Sequence, residues 1–409
     1  MKSILKNKRF LFILGSECFA VLSFSIFVLA ISWYMVDGLN HPQYMGLVMA
    51  AAALPRMFTM IIGGILADRI QKSKILFGTS LGKVILLGIL LWVYMNGELT
   101  FSVILILSFF IGSLDGLFFP ALSSLIPSLV NKKDLQLANT LIHSSQELLF
   151  LIGPVLAGVL INYYSFAATF AVCVITMSVN MCLVFPAFVR DEKPSPSEKK
   201  LTFLKEFVEG YHYIRKSSIY TVGIAIIIVL NFFVLGPIFL SLPILAKETG
   251  GSALDLSFLE AGFSIGSLSA TMILLIFSVN KHRGRLILLF LLSTVIFLGI
   301  FSQMPSMWGL VLIVMLIGFF SFMTFIPADV MIQEHTEPQL MGRVMAIVFI
   351  AQTAFDPISQ TLFSSLMTIG FSVRTLLFIF AAVGLGLTIL IVAKAKQWTN
   401  KQSVLNRGG

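Results

Sequence analysis

Eight ionisable side chains stand inside long apolar runs of this sequence, and they are the first places to look for chemistry. Glu17, Arg56, Lys83, Asp115 and Glu147 fall in the first half, and Glu260, Asp329 and Asp356 in the second. At about 1.5 Å of rise per helical residue, Arg56 lies roughly 18 Å into its run, Asp115 roughly 21 Å and Glu147 roughly 15 Å, depths near the middle of a bilayer. Asp356 lies roughly 20 Å into its own run by the same rise. A charge at such depth costs several kcal/mol unless it is paired or hydrated, so each is a functional candidate. A desolvated carboxylate can load and release protons near neutral pH, which puts Glu147 and Asp115 first as proton carriers, then Glu17 and Asp356. Arg56 and Lys83 either pair with Asp115, Glu17 or Glu147 or meet a solute directly. Glu260 and Asp329, closer to the ends of their runs, read as solvated or capping charges, and the second half has no buried base.

The elements that position these groups follow from composition. Of 409 residues, 57% are hydrophobic and 11% charged, with a mean hydropathy of +0.96; soluble chains are nearer ~45–50% apolar and ~25% charged. This is a membrane chain. Apolar stretches between charged or turn-rich breaks predict twelve spans, at 10–36, 44–67, 75–95, 101–126, 137–162, 166–187, 219–245, 256–279, 286–303, 307–330, 343–369 and 373–393. Twelve helices of about 20 residues leave no room for a separate soluble domain. The first run is far longer than the roughly 7–15 apolar residues of a secretory signal core, so it is expected to remain as a span. Of the 28 Lys and Arg residues, 24 fall in the segments on one side of this layout, two on the other and two within spans. Basic residues are retained on the cytoplasmic side, which predicts both termini there and accounts for the formal charge of +9 without a nucleic-acid partner.

The predicted domains are a first six-helix bundle over 1–187, a cytoplasmic linker over 188–218, a second bundle over 219–393 and a tail over 394–409. The linker opens with Arg190-Asp191-Glu192-Lys193-Pro194-Ser195-Pro196, a flexible composition. Then Phe203, Phe207, Tyr211 and Ile214 recur at helical spacing among Lys205, Glu206, Glu209 and Arg215, the pattern of an amphipathic helix on the inner leaflet. The halves also echo each other, as repeated transporter bundles do. Phe118-Phe119-Pro120-Ala121 in span 4 matches Phe325-Ile326-Pro327-Ala328 in span 10, and Gln146 before Pro154 in span 5 matches Gln352 before Pro357 in span 11.

Between spans 2 and 3, Gly64-Ile65-Leu66-Ala67-Asp68-Arg69-Ile70-Gln71-Lys72-Ser73-Lys74 resembles the loop motif of the major facilitator superfamily, G-x-L-a-D-r-x-G-r-k, with Gln71 in place of a glycine. The resemblance implies a gating loop in which Gly64, Asp68 and Arg69 dock the cytoplasmic ends of the two bundles, with Asp68 meeting a helix N-terminus or an arginine such as Arg343 at the start of span 11. Gly153-Pro154-Val155-Leu156-Ala157-Gly158 in span 5 resembles the G-P-x-x-G-G kink motif of exporters in that superfamily, Ala157 replacing one glycine. Over most of its length the chain resembles the drug-exporter branch that includes macrolide-efflux and enterobactin-export proteins. The matching pieces are Phe119-Pro120-Ala121-Leu122, Ile126-Pro127, Leu137-Ala138-Asn139, Glu209-Gly210-Tyr211-His212-Tyr213-Ile214 and Met341-Gly342-Arg343-Val344-Met345. Many members carry an arginine in span 4 that takes part in proton coupling; here the stretch reads Phe109-Phe110-Ile111-Gly112-Ser113-Leu114-Asp115, so that mechanism does not transfer.

The resemblance implies an all-α transporter of the bacterial cytoplasmic membrane, two six-helix bundles working by alternating access, exporting amphipathic or lipophilic compounds in exchange for protons. Thirty-eight phenylalanines and eighteen methionines supply adaptable apolar surface. Alternative readings are a dedicated siderophore or lipid exporter, in which Arg56 and Lys83 would meet an anionic solute, and a membrane interaction protein without transport. The expected partners are a small amphipathic substrate, protons and membrane lipid, with the chain acting as a monomer and using neither cofactor nor metal. No Walker loop, HExxH, CxxC or GxSxG is present, which argues against an enzyme. Cys18, Cys173 and Cys182 sit in apolar runs as packing residues.

Overall fold

Backbone amides in hydrocarbon must be satisfied within their own segment, and this sequence meets the demand with helices throughout. The computed structural model describes residues 7–131, 134–189, 191, 212–215, 217–276, 283–337 and 340–394. Its elements are α1 (Lys8–Trp33), α2 (Met45–Ala67), α3 (Lys72–Met95), α4 (Phe101–Leu129), α5 (Leu135–Tyr163), α6 (Phe166–Leu183), α7 (Ser218–Val229), α8 (Gly236–Glu248), α9 (Ala253–Ile276), α10 (Arg283–Gln303), α11 (Met307–His335), α12 (Met341–Thr353), α13 (Phe355–Thr368) and α14 (Val373–Lys394). A π-turn, Tyr34–Gly38, extends α1, and another, Leu230–Leu235, joins α7 to α8. Among the described residues eleven helical stretches are long and apolar enough to cross a membrane, α7 through α8 counting as one.

The predicted span over 343–369 is the exception, because it is broken into α12 and α13 at Ala354. Pro357 has no N–H to offer the carbonyl four residues back, and the helix parts there. Pro154, by contrast, sits within a continuous α5. The described residues form two compact units, one from Met1–Lys199 with Gly251–Ser257 and one from Lys200–Gly250 with Phe258–Gly409. Most of the linker, including Glu192 to Pro196, Phe203, Phe207 and Tyr211, and the tail from 395 lie outside the described residues. Ile214, expected on a membrane-facing stripe, is instead buried with Tyr220, Ile332, Val344 and Val348 in the second unit; its apolar side chain finds a protein core within reach.

Glycine sets the tightest packing in each unit. In the first, a Cβ on Gly112 or Gly116 of α4 would fall on the carbonyl of Ala52 or Arg56 in α2, and one on Gly63 would stand 2.8 Å from the Gly116 carbonyl. In the second, Gly266 of α9 and Gly318 of α11 meet backbone at Met315 and Phe263. Such contacts let helix backbones approach and gain dispersion energy where no hydrophobic effect drives association.

One end of the first unit, where α1 and α3 begin and α4 and α6 finish, is sealed by Phe10, Ile13, Leu76, Phe118, Leu125 and Ile142. Asn7 ties it: its Oδ1 accepts from Phe10 N at 3.3 Å and its Nδ2 donates to the Leu129 carbonyl at 2.6 Å. Asp191 caps α3 across the fold, accepting from Lys72 N at 2.5 Å, from Ser73 N at 3.3 Å and from the Ser73 hydroxyl. Gln71, where the family motif has glycine, donates to the Asp191 carbonyl at 3.3 Å.

Candidate functional site

Glu17 is the most buried of the predicted acids, 6% exposed on α1. Its Oε1 accepts from Gln146 Nε2 of α5 at 2.7 Å, while Oε2 is buried without a hydrogen-bond partner. One turn before Gln146, His143 places Nδ1 3.2 Å from Gln146 Oε1. Lys83, Asp115 and His143 all lie within electrostatic range of the Glu17 carboxylate. Lys83 of α3 and Asp115 of α4 form an ion pair with side chains 9% and 20% exposed, and the Lys83 ammonium also sits 4.8 Å from the Phe118 ring centroid, a cation–π contact. Four helices of one bundle therefore bring two acids, a lysine, a glutamine and a histidine together. Next to them, Asn180 of α6 donates to the Ser16 carbonyl at 2.8 Å while its Oδ1 is buried and unsatisfied.

This arrangement reorders the expectations drawn from sequence. Asp115 has a dedicated counter-ion, so as a proton carrier it would first have to abandon Lys83. Glu147 is exposed on α5, one residue beyond Gln146, and no hydrogen bond joins it to Glu17 among the described residues. Arg56 is likewise exposed and makes no ion pair among the described residues; Lys83 has taken Asp115 instead. The sequence reading passed over His143 and used Gln146 only as a repeat marker. Their signal was the i, i+3 spacing of two polar side chains, which places them on one face of α5.

In the second unit, Asp356 stands at the break between α12 and α13, while Asp329 and Glu260 lie within the continuous helices α11 and α9. Ser359 donates its hydroxyl to the Phe232 carbonyl inside the π-turn, where the altered backbone register leaves an acceptor available. Asp356, in the first turn of α13, accepts from Gln360 Nε2 at 3.1 Å. Gly236 admits it, since a Cβ there would stand 3.1 Å from Asp356 Oδ1 and 2.8 Å from Ser359. Asp329, expected to be a solvated or capping charge, is half-buried and accepts from Gln333 at 2.8 Å and Gln352 at 3.0 Å. Gln146 and Gln352, the repeat pair, thus each donate to a carboxylate in their own bundle. Glu260 is half-buried on α9.

In the motifs, Asp68 and Arg69 are exposed where α2 ends. Gly64 has no atom within 4 Å of where a Cβ would stand, whereas its neighbour Gly63 packs on α4; the close-packed glycine is the one outside the motif. Arg343 lies in the first turn of α12. In α5, Gly153 abuts Ser25 of α1, a Cβ falling 2.6 Å from the serine Cβ, and Gly158 abuts Ser257 at 2.7 Å and the Ala253 carbonyl at 2.9 Å, all within the first unit. Pro154 is buried between them.

Comparison with known proteins places this geometry in context. The family model described as Major Facilitator Superfamily matches residues 13–359. Macrolide efflux protein A of Streptococcus pyogenes is 23% identical over 349 residues, covering 83% of this chain and 84% of that protein. The enterobactin exporter EntS of Shigella boydii is 24% identical over 309 residues, covering 75% and 73%. Among solved structures, a peptide transporter POT in complex with alafosfalin aligns with a TM-score of 0.74 at 13% identity, over 97% of this chain and 96% of that one. The nucleoside transporter NupG aligns at 0.70 and 13%, over 94% and 99%. These structural likenesses show the fold.

Proposed function

The chain belongs to the major facilitator superfamily, a family of transporters and not of enzymes, and on that premise we propose that it exports lipophilic, amphipathic compounds by alternating access, driven by proton influx. The observation that carries the coupling is Glu17, a buried carboxyl group with one oxygen held by Gln146 and the other without a donor. Such a group can take up and give back a proton within the membrane, where changing one charge changes the cost of an entire conformation. The Lys83–Asp115 pair beside it is already neutral as a unit, so Glu17 is the acid whose proton alters the net charge of the cluster. The macrolide and enterobactin exporters among the relatives support the outward direction, and the bacterial sources of those relatives support a cytoplasmic-membrane location.

The test is proton movement in energised everted vesicles as macrolides, cationic dyes, catecholate siderophores and lysolipids are added in turn. Dissipation of the gradient by several unrelated amphiphiles, absent from vesicles without the protein, is the expected result; silence throughout would overturn the proposal. A second reading, export of one anionic metabolite, is favoured by Arg56, an exposed cation without an ion-pair partner among the described residues. It predicts a response to the siderophore alone, lost in Arg56→Gln.

A further inference from the structure

On the second unit a groove of about 540 Å³ runs between α10 and α14, its lining apolar apart from Gln303. Small residues open it. A Cβ on Gly299 would stand 3.7 Å from the Ala381 Cβ, so the two helices meet there without bulk between them, while Ile296, Ile300 and Phe378 are exposed around the gap. Exposed apolar side chains on spanning helices face hydrocarbon. From Met304 to Val295 the groove follows α10 for about 14 Å at ~1.5 Å per residue, close to half of a hydrocarbon core ~30 Å thick. Its length is that of one acyl chain in one leaflet.

The Met304 end of the groove is marked as the membrane boundary. Trp308, 70% exposed at the start of α11 and stacked on Phe258, is the kind of residue that lies at headgroup level. Arg374 stands one turn before Phe378 on the same face of α14. Its Nη1 donates to the carbonyls of Ser302 at 3.2 Å and Met304 at 2.8 Å, and its Nε donates to Glu248 Oε2 at 3.2 Å. Arg374 Nη2 and Glu248 Oε1 have no hydrogen-bond partner among the described residues, and the two side chains are 30% and 40% exposed. The mouth of an apolar groove therefore presents a cationic donor and an anionic acceptor side by side.

We infer that the groove between α10 and α14 holds one acyl chain of a phosphatidylethanolamine-type lipid, whose phosphate meets Arg374 and whose primary ammonium meets Glu248. A headgroup with both charges matches the pair, whereas a purely anionic headgroup meets Arg374 but is repelled by Glu248. A choline headgroup has the same charges, yet its quaternary nitrogen has no N–H to donate to the carboxylate. Recognition thus separates lipids that differ only in the donors on one nitrogen, since a hydrogen bond between ionised groups is stronger than a bare charge contact. This site is independent of the proton cluster around Glu17 and of what the protein exports.

The experiment is native mass spectrometry of the full-length protein released from vesicles of equimolar phosphatidylethanolamine, phosphatidylglycerol and phosphatidylcholine with identical acyl chains. Wild type is expected to retain phosphatidylethanolamine over phosphatidylcholine by about three- to tenfold, the effect of one charge-assisted hydrogen bond at a partly exposed site. Ala382→Phe fills the groove from its exposed side and leaves the Arg374 bonds in place; it should lose the retained lipid, with Ile296→Trp as a second filling variant should the first impair folding. Glu248→Gln should keep a lipid but lose the preference for the primary amine. Equal retention of the three lipids by wild type would mean annular lipid only and would overturn the site. A preference that survives in the folded filling variants would place the lipid elsewhere, and one that survives Glu248→Gln would overturn the headgroup assignment.

Discussion

Removing one partner of the Lys83–Asp115 pair should cost far more than removing both. Lys83→Met leaves Asp115 as an uncompensated carboxylate beside Glu17, and breaking a buried pair in this way typically costs about 3–5 kcal/mol. The side chains are 9% and 20% exposed, so solvent relieves part of that and the lower half of the range applies. A unit of about 150–250 residues loses roughly 2–4 °C of melting temperature per kcal/mol, which converts to a fall of roughly 6–16 °C. The double variant Lys83→Met/Asp115→Asn removes both charges together and should recover most of the loss, because replacing a buried pair by neutral groups is often close to neutral. Thermal unfolding of the purified protein by intrinsic fluorescence reads this directly, with Trp33 and Trp92 in the same bundle. A double variant that loses the sum of the two single effects would refute the pairing and, with it, the assignment of Glu17 as the acid free to titrate.

Three further outcomes are expected. Gly63→Ala should destabilise the first bundle by about 1–3 kcal/mol through overpacking, since its methyl meets α4 backbone at 2.8 Å, while Gly64→Ala, with open space around it, should be tolerated; melting temperatures of the two side by side check this. Asp191→Ala should remove the cap of α3 at a cost of about 1 kcal/mol, seen as faster amide exchange at Lys72 and Ser73, the two N–H groups it holds. Pro357→Ala restores the missing amide donor and should slow exchange across 354–358, where α12 and α13 part; unchanged exchange would mean that the break is held by tertiary contacts such as the Ser359 bond to Phe232.

What the sequence disclosed and what it withheld divide along physical lines. Long apolar runs locate membrane helices because burial in hydrocarbon is a property of composition, and most predicted spans fall within a few residues of the helices. The break at Ala354 was hidden because Pro154 and Pro357 look alike in sequence, yet α5 stays continuous and the eleventh span does not; whether a proline parts a helix depends on what satisfies the freed carbonyl. Depth along a run put Glu147, Asp115 and Arg56 alike near mid-membrane, but depth says nothing about azimuth. A rotation of one residue separates exposed Glu147 from Gln146, which reaches Glu17. Likewise Lys83, not Arg56, is the base that reaches Asp115, and Gly63, not the motif residue Gly64, meets α4. The positions that repeat between halves carried more than expected, as Gln146 and Gln352 both hold carboxylates.

The central claim is that the proton exchanged for substrate resides on Glu17, and its most direct test is counterflow in proteoliposomes. Efflux of a fluorescent lipophilic cation would be followed together with internal pH, for wild type and Glu17→Gln, with and without an imposed pH gradient. The account predicts that wild-type efflux accelerates with the gradient and consumes it, while Glu17→Gln still exchanges labelled for unlabelled substrate at equilibrium but neither responds to the gradient nor moves protons. A Glu17→Gln protein that continues to dissipate the gradient as substrate moves would contradict it.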